Sequence, residues 1–330
     1  MPRTFKRVIV GISASFALLA AGLTVAVAAR QHRTFEAPYP DIHASRDPAV
    51  IERGRYLAFG LAHCADCHAT PGSEAALAAG REVPLSGGRE FRLPVGVFRV
   101  PNITTDRNVG IGRYSDPELA RMLRHGVRPN GEALVPFMPF ADLSNEDLTA
   151  LISFLRTQPA ASHAVPEHEV NALGQVIKAF VLEPRGPSET EKKRVEREAS
   201  PEYGRYLAHS VANCVGCHTK IDMRTGAFAG PLFGGGAEHP SNDDPKQLFV
   251  SPNLTPDPTS GWLNGWSEDA FVARLTGGRV HHGSPMPWEA FSRMSADDAR
   301  AIFRYLRALP PAAGGPSPAD RRAVLPVATR

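Results

Sequence analysis

The chain holds four cysteines, and they fall in only two places: Cys64-Ala-Asp-Cys67-His68 and Cys214-Val-Gly-Cys217-His218. Two thiols separated by two residues and followed at once by a histidine form the pattern of covalent c-type heme attachment. The spacing lets one short turn present both sulfurs to one porphyrin edge, with the imidazole beneath the ring as an axial ligand. A redox dithiol would want a βαβ setting, and none is evident. A zinc site would need four ligands, which the two clusters could supply only by sharing one metal. The expectation is two covalently bound heme c groups, anchored by Cys64, Cys67, Cys214 and Cys217 and ligated by His68 and His218.

The opposite axial position decides between a carrier and an enzyme, because a protein ligand there closes the iron to small substrates. Of six methionines, Met1 is the initiator, Met122 sits in a helical stripe, Met223 follows the second motif too closely and Met294 falls at a helix cap. Met138 and Met286 remain, each beside proline in a loop that proline would stiffen. Both are expected as axial ligands, and methionine–histidine ligation raises a heme's potential. Filling core space is the plain alternative for a methionine. The competing ligands are His281 and His282, near Met286, and His125 in the first half.

These sites must be positioned by a duplicated frame. Gly54-Arg55-Tyr56-Leu57-Ala58 recurs as Gly204-Arg205-Tyr206-Leu207-Ala208, at the same 150-residue offset as the two heme motifs. Pro101-Asn102-Ile103-Thr104 recurs as Pro252-Asn253-Leu254-Thr255. Asp47-Pro48 and Ser200-Pro201 are cap-plus-proline starts for opening helices. Middle helices are expected from Asp116-Pro117 to Gly126 and from Ser267 to Gly277. Ser144…Asp147 and Ser295…Asp298 start the closing helices, with Asp where a capping box prefers Glu. Apolar stripes at Leu148, Leu151, Ile152, Leu155 and at Ala299, Ile302, Phe303, Leu306 follow helical spacing. Gly54 and Gly204 would let opening and closing helices cross closely. The expected architecture is all-α: two tandem class I cytochrome c domains, residues 41–159 and 200–311, joined by a linker, 160–199, and followed by a flexible tail, 312–330. Within the linker, Ala172 to Leu182 reads as a short packed helix and Glu189 to Glu198 as a solvated helix start.

Residues 1–30 are expected to be a membrane anchor or a signal peptide. Arg3, Lys6 and Arg7 precede 22 uncharged residues, Val8 to Ala29. That run is long enough to span a bilayer, while Ala26-Val27-Ala28 resembles a cleavage site. Either outcome exports the remainder to the periplasmic side of a bacterial inner membrane, where c-type heme is attached. The formal charge of +3 comes from this segment; the rest carries 33 basic against 34 acidic residues, so nucleic-acid binding has no electrostatic support.

With these motifs in view, the chain resembles the cytochrome c subunits of membrane-bound alcohol and gluconate dehydrogenases and their diheme relatives. The likeness spans nearly all of residues 48–310. It rests on the Gly-Arg-Tyr-Leu-Ala lead-in, both C-x-x-C-H motifs, Pro101 to Asp106 and Pro252 to Asp257, Gly110-Ile111-Gly112, Met138-Pro139 and the closing helices. The resemblance implies Met138 and Met286 as axial ligands, a dehydrogenase catalytic subunit as electron donor and a respiratory acceptor (cytochrome, oxidase or quinone) downstream. The better-known members carry three heme motifs, and this chain has two, so quinone reduction is not carried over. The reading is an electron-transfer protein, or a subunit of an oxidoreductase complex, with no catalytic residue of its own. The alternative is a diheme peroxidase or sulfur-compound dehydrogenase with one open iron. A peroxidase needs an acid–base group at that iron, and none can be placed; cysteine ligation would need a fifth cysteine.

Overall fold

In the computed structural model, residues 3–222, 225–244, 246–316 and 324–326 are described. Helix makes up 39% of the chain, and the helices follow the caps read above. They are α1 (Arg3–Arg30), α2 (Pro48–Tyr56), α3 (Cys64–His68), α4 (Glu74–Ala78), α5 (Asp116–His125), α6 (Asn145–Leu155), α7 (Ala172–Phe180), α8 (Pro201–Tyr206), α9 (Cys214–Cys217), α10 (Glu268–Thr276), α11 (Trp288–Phe291) and α12 (Ala296–Ala308). Asp47, Ser144, Ser200, Ser267 and Ser295 each accept a backbone N–H of the first turn, a contact worth about 1 kcal/mol per helix. On α5 the cap is Ser115, one residue earlier than expected, in a full capping box with Glu118.

Each half is organised by one crossing. The opening helix α2 packs across the closing helix α6, and α8 packs across α12. A Cβ on Gly54 would run into the Ala150 carbonyl, and one on Gly204 into the Ala301 carbonyl. Glycine is therefore what brings the two backbones together. After each opening helix the last turn widens, with Ala62 N–H bonding Leu57 O at 2.9 Å and Ala212 N–H bonding Leu207 O at 2.8 Å, an i→i+5 pattern common at functional sites. Leu57, Ala58 and Leu61, and their counterparts Leu207, Ala208 and Val211, are fully buried. One apolar cluster runs continuously through both halves.

The fold is not all-α. Two antiparallel three-stranded sheets are present, β1 (Glu90–Leu93), β2 (Gly96–Arg99) and β3 (Glu169–Val170), then β4 (Glu238–Pro240), β5 (Gln247–Val250) and β6 (Val324–Pro326). These strands are too short to show a period of two. In the first sheet Arg99 bridges Glu90 at 2.9 Å and Glu169 at 2.6 Å, while the cross-strand partners Phe91 and Phe98 both pack on Phe137.

The linker also departs from expectation. Helix α7 forms as read, but residues 189–198 are not helical. Their charges pair with fixed neighbours: Glu191 with Arg124 at 3.1 Å and Arg197 with Glu146 at 2.8 Å. The carbonyls of Lys192 and Lys193 accept Asn145 N–H and Glu146 N–H, which extends the cap of α6. Beyond α12, Ala312 O accepts from Asn253 Nδ2 and Pro316 O from Trp262 Nε1, both at 2.7 Å, so the start of the expected flexible tail is hydrogen-bonded to the second half. At the other end, Gly11–Arg30 of α1 is long and apolar enough to cross a membrane, and only 6% of it is buried.

Candidate functional site

The two attachment motifs are presented alike. The residue before each first cysteine is left-handed, His63 at φ 41° and Asn213 at φ 51°. This breaks the opening helix and starts the short motif helix in a new direction. Asparagine tolerates that conformation better than histidine. Burial pushes the lead thiols, Cys64 and Cys214, up to about 12, and the second thiol of each pair adds to the shift. Burial also raises Cys67 and Cys217. Thiols held protonated at neutral pH are poor redox nucleophiles. Among the described residues no three His, Cys, Asp or Glu side chains converge to hold a metal ion.

The histidines carry the sharper signal. His68 and His218 are 7% and 9% exposed. His68 Nδ1 lies 2.9 Å from the Pro101 carbonyl oxygen, and His218 Nδ1 lies 3.0 Å from that of Pro252. A carbonyl can only accept, so Nδ1 carries the proton and Nε2 keeps a free lone pair. Burial pulls both imidazoles down to about 4, against the upward pull of that carbonyl. Each is therefore neutral, in one tautomer and fixed in orientation, as a metal-ligating histidine must be.

The Pro-Asn segment is thus part of the site, through its backbone, which no side-chain pattern could disclose. Its repetition in both halves was the available signal. Asn102 Oδ1 accepts from Thr104 N at 2.9 Å and Oγ1 at 2.7 Å, and Asn253 does the same with Thr255 at 2.9 and 2.8 Å. The motif's own carbonyl is tied in turn, as Gly87 N–H bonds His68 O and Gly235 N–H bonds His218 O, both at 2.8 Å. Gly87 has φ 69° and sits against the backbone of Val100 and Pro101, where a side chain would displace the histidine's acceptor.

Met138 and Met286 are half-buried and pack against the same apolar cluster as Cys64 and Cys214. Met138 lines a small recess with Met122, Leu123, Leu134 and Val135. Met286 N–H reaches Ser284 Oγ at 3.4 Å, and Met286 O accepts Trp288 N–H at 2.8 Å. His281 and His282 are exposed; His125 is half-buried at the end of α5. Met223 lies outside the described residues.

A further feature lies between the halves. Tyr56 OH donates to Asp298 Oδ2 at 2.5 Å and accepts Ser295 N–H at 2.9 Å. Tyr206 OH donates to Asp147 Oδ2 at 2.8 Å and accepts Ser144 N–H at 3.1 Å. Each closing helix is therefore capped by the tyrosine of the other half's Gly-Arg-Tyr-Leu-Ala segment. Aspartate is one methylene shorter than the glutamate of a capping box, and the tyrosine hydroxyl spans the difference.

No protein-family model matches the chain. It is 32% identical to the cytochrome c subunit of the quinone alcohol dehydrogenase of Gluconobacter oxydans, over 80% of this chain and 55% of that one. Identity to the gluconate 2-dehydrogenase cytochrome c subunit of Pantoea cypripedii is 29%, over 79% of this chain and 60% of the relative. A diheme cytochrome c-type protein of Cereibacter sphaeroides is 30% identical, over 76% of this chain and 83% of the relative. The chain spans a little over half the length of the dehydrogenase subunits it matches.

Proposed function

The chain belongs to the diheme c-type cytochromes, and from that premise we propose that it is a membrane-associated periplasmic electron carrier, taking single electrons from a dehydrogenase subunit and passing them to a respiratory acceptor. Its working units are two tandem class I cytochrome c domains, residues 41–159 and 200–311, linked through 160–199. Cys64 and Cys67 hold one heme c, and Cys214 and Cys217 the other. His68 with Met138, and His218 with Met286, are the axial pairs. The hemes, when bound, supply reversible one-electron chemistry at iron.

The chain's own residues do the rest. Pro101 and Pro252 lock the imidazole tautomer through the Nδ1 hydrogen bonds described above. Prolines on either side of Met286 and after Met138 restrict loops whose thioether is a weak ligand. The observation that carries the reading is the duplicate of a buried, neutral, orientation-fixed histidine directly after a C-x-x-C pair. The relatives are dehydrogenase cytochrome subunits by name, which supports a dehydrogenase as donor.

The test is an optical spectrum of the heme-loaded protein, oxidised and reduced, with and without CO. Two hemes per chain, a far-red methionine–iron band and no CO shift are expected. A CO shift on about half of the heme, one site of two by the open-position argument, would mean an open iron and sink the pure-carrier reading.

A further inference from the structure

We infer that α7 rests on the surface of the phospholipid bilayer, at the point where α1 leaves it. This extends the reading of α1 as a membrane anchor and depends on it. Twenty residues, Gly11–Arg30, rise about 30 Å as a helix, the thickness of a hydrocarbon core. Arg30 therefore stands at the membrane boundary. There the chain is bonded to α7: Arg30 Nε donates to Ala179 O at 3.1 Å, and Gln31 Nε2 to Gln175 O at 3.0 Å. The Arg30 guanidinium also lies over the Phe180 ring, 5.1 Å from its centre. These contacts hold α7 at headgroup level.

The face that α7 leaves open is apolar. Leu173 is 56% exposed, Phe180 41% and Val181 65%. Leu173, Val176, Ile177 and Phe180 follow helical spacing, and Val176 and Ile177 are only half-buried. The opposite face, Gly174 and Ala179, is buried, with Gly174 set against the Val95 carbonyl of the β1–β2 hairpin. Arg30, Arg33 and Lys178 lie near the open face, all at least partly exposed, with Arg33 3.6 Å from Glu183 and Lys178 3.9 Å from Glu132. Apolar side chains bordered by cations are the pattern of a helix lying in a lipid interface, where the cations meet headgroup phosphates. Because α7 is bonded to the end of α1, the bilayer that receives α1 is the occupant the geometry selects.

The test uses the full-length, heme-loaded protein in phosphatidylethanolamine–phosphatidylglycerol vesicles that contain a lipid with a photoreactive group high on its acyl chain. After illumination, adducts are mapped by peptide mass spectrometry. Adducts on α1 and on the 173–181 peptide, with none on the peptide holding exposed Val280, are expected. The double variant Leu173→Glu, Phe180→Glu, altered only at exposed positions, is expected to drop to the Val280 background while keeping both hemes. Adducts on α1 alone would overturn the inference and leave the anchor standing. Adducts on neither would remove the anchor and the inference together. Undiminished labelling in the double variant would show proximity without insertion, and would also overturn it.

Discussion

The first and second halves share a plan but brace it differently. Arg53 on α2 forms a buried pair with Asp147 at 2.8 Å, with the two side chains 11% and 3% exposed. At the equivalent position the second half has Tyr203, whose buried hydroxyl has no partner at hydrogen-bond geometry. Phe59, packed on Phe154 in the first half, is replaced by His209, whose Nε2 meets Tyr305 OH at 2.7 Å. From Met138 the chain reaches the cap Ser144 directly. From Met286 it first makes α11, where Glu289 takes two bonds from Arg279 at 2.7 and 2.6 Å and Arg274 stacks 3.6 Å from the Trp288 ring. The first half is thus fastened by an ion pair at its helix crossing, and the second by an ion pair and a cation–aromatic contact beside its methionine loop. The attachment geometry is the same in both, so either fastening suffices to hold it.

The largest expected break in this comparison is Arg53→Met. It removes the bidentate partner of the buried Asp147 carboxylate, leaving it Tyr206 OH at 2.8 Å and Arg197 at 3.4 Å, and is expected to cost about 3 kcal/mol, whereas Tyr203→Phe costs below about 1 kcal/mol because no bond is lost. Guanidinium unfolding of both variants checks it; equal losses would mean that the crossings are fastened alike after all. Next come the exchanged tyrosines. Tyr206→Phe and Tyr56→Phe each remove a hydroxyl bound to a carboxylate, worth about 1.5–3 kcal/mol. Tyr206 is the more buried and should sit at the upper end. A single unfolding transition weakened equally by either change would show that the halves melt as one body.

The smallest effect is set by pH. Burial pulls His209 down to about 4, with Arg205 adding to the shift. A histidine whose folded pKa is depressed binds fewer protons folded than unfolded, so stability is full above about pH 6.5 and declines as pH falls toward 4. His209→Phe, which copies Phe59, should flatten that decline, and thermal melts between pH 7 and 4 would show no difference from the parent if the idea is wrong. The group is partly exposed, so solvent screening keeps the effect small.

What could be read in advance followed from local chemistry. The caps at Asp47, Ser144, Ser200 and Ser295 and the apolar stripes act within a few residues of themselves, and each formed as read; the crossing glycines act over a long separation but were marked by their repetition. The linker charges failed as a helix because their partners, such as Arg124 and the start of α6, lie far away in sequence. The strands failed because two to four residues leave no alternation to read. The Pro101 and Pro252 carbonyls were invisible because backbone atoms are common to every residue. The cross-half caps had one local trace, the aspartate standing where a capping box wants glutamate, and it acquires its meaning only across 59 and 242 residues of chain.

The same cross-half caps bear on ancestry. Residue Tyr56 meets Asp298 while its duplicate Tyr206 meets the duplicate Asp147, which is the reciprocal relation found across a two-fold axis between identical subunits. A single-heme precursor bearing both the tyrosine and the Ser-x-x-Asp start would have paired with itself through these very bonds. Joining two copies of such a chain would turn a concentration-dependent homodimer into one covalent molecule, and would let Phe59 and His209, or Arg53 and Tyr203, differ without the twin having to follow.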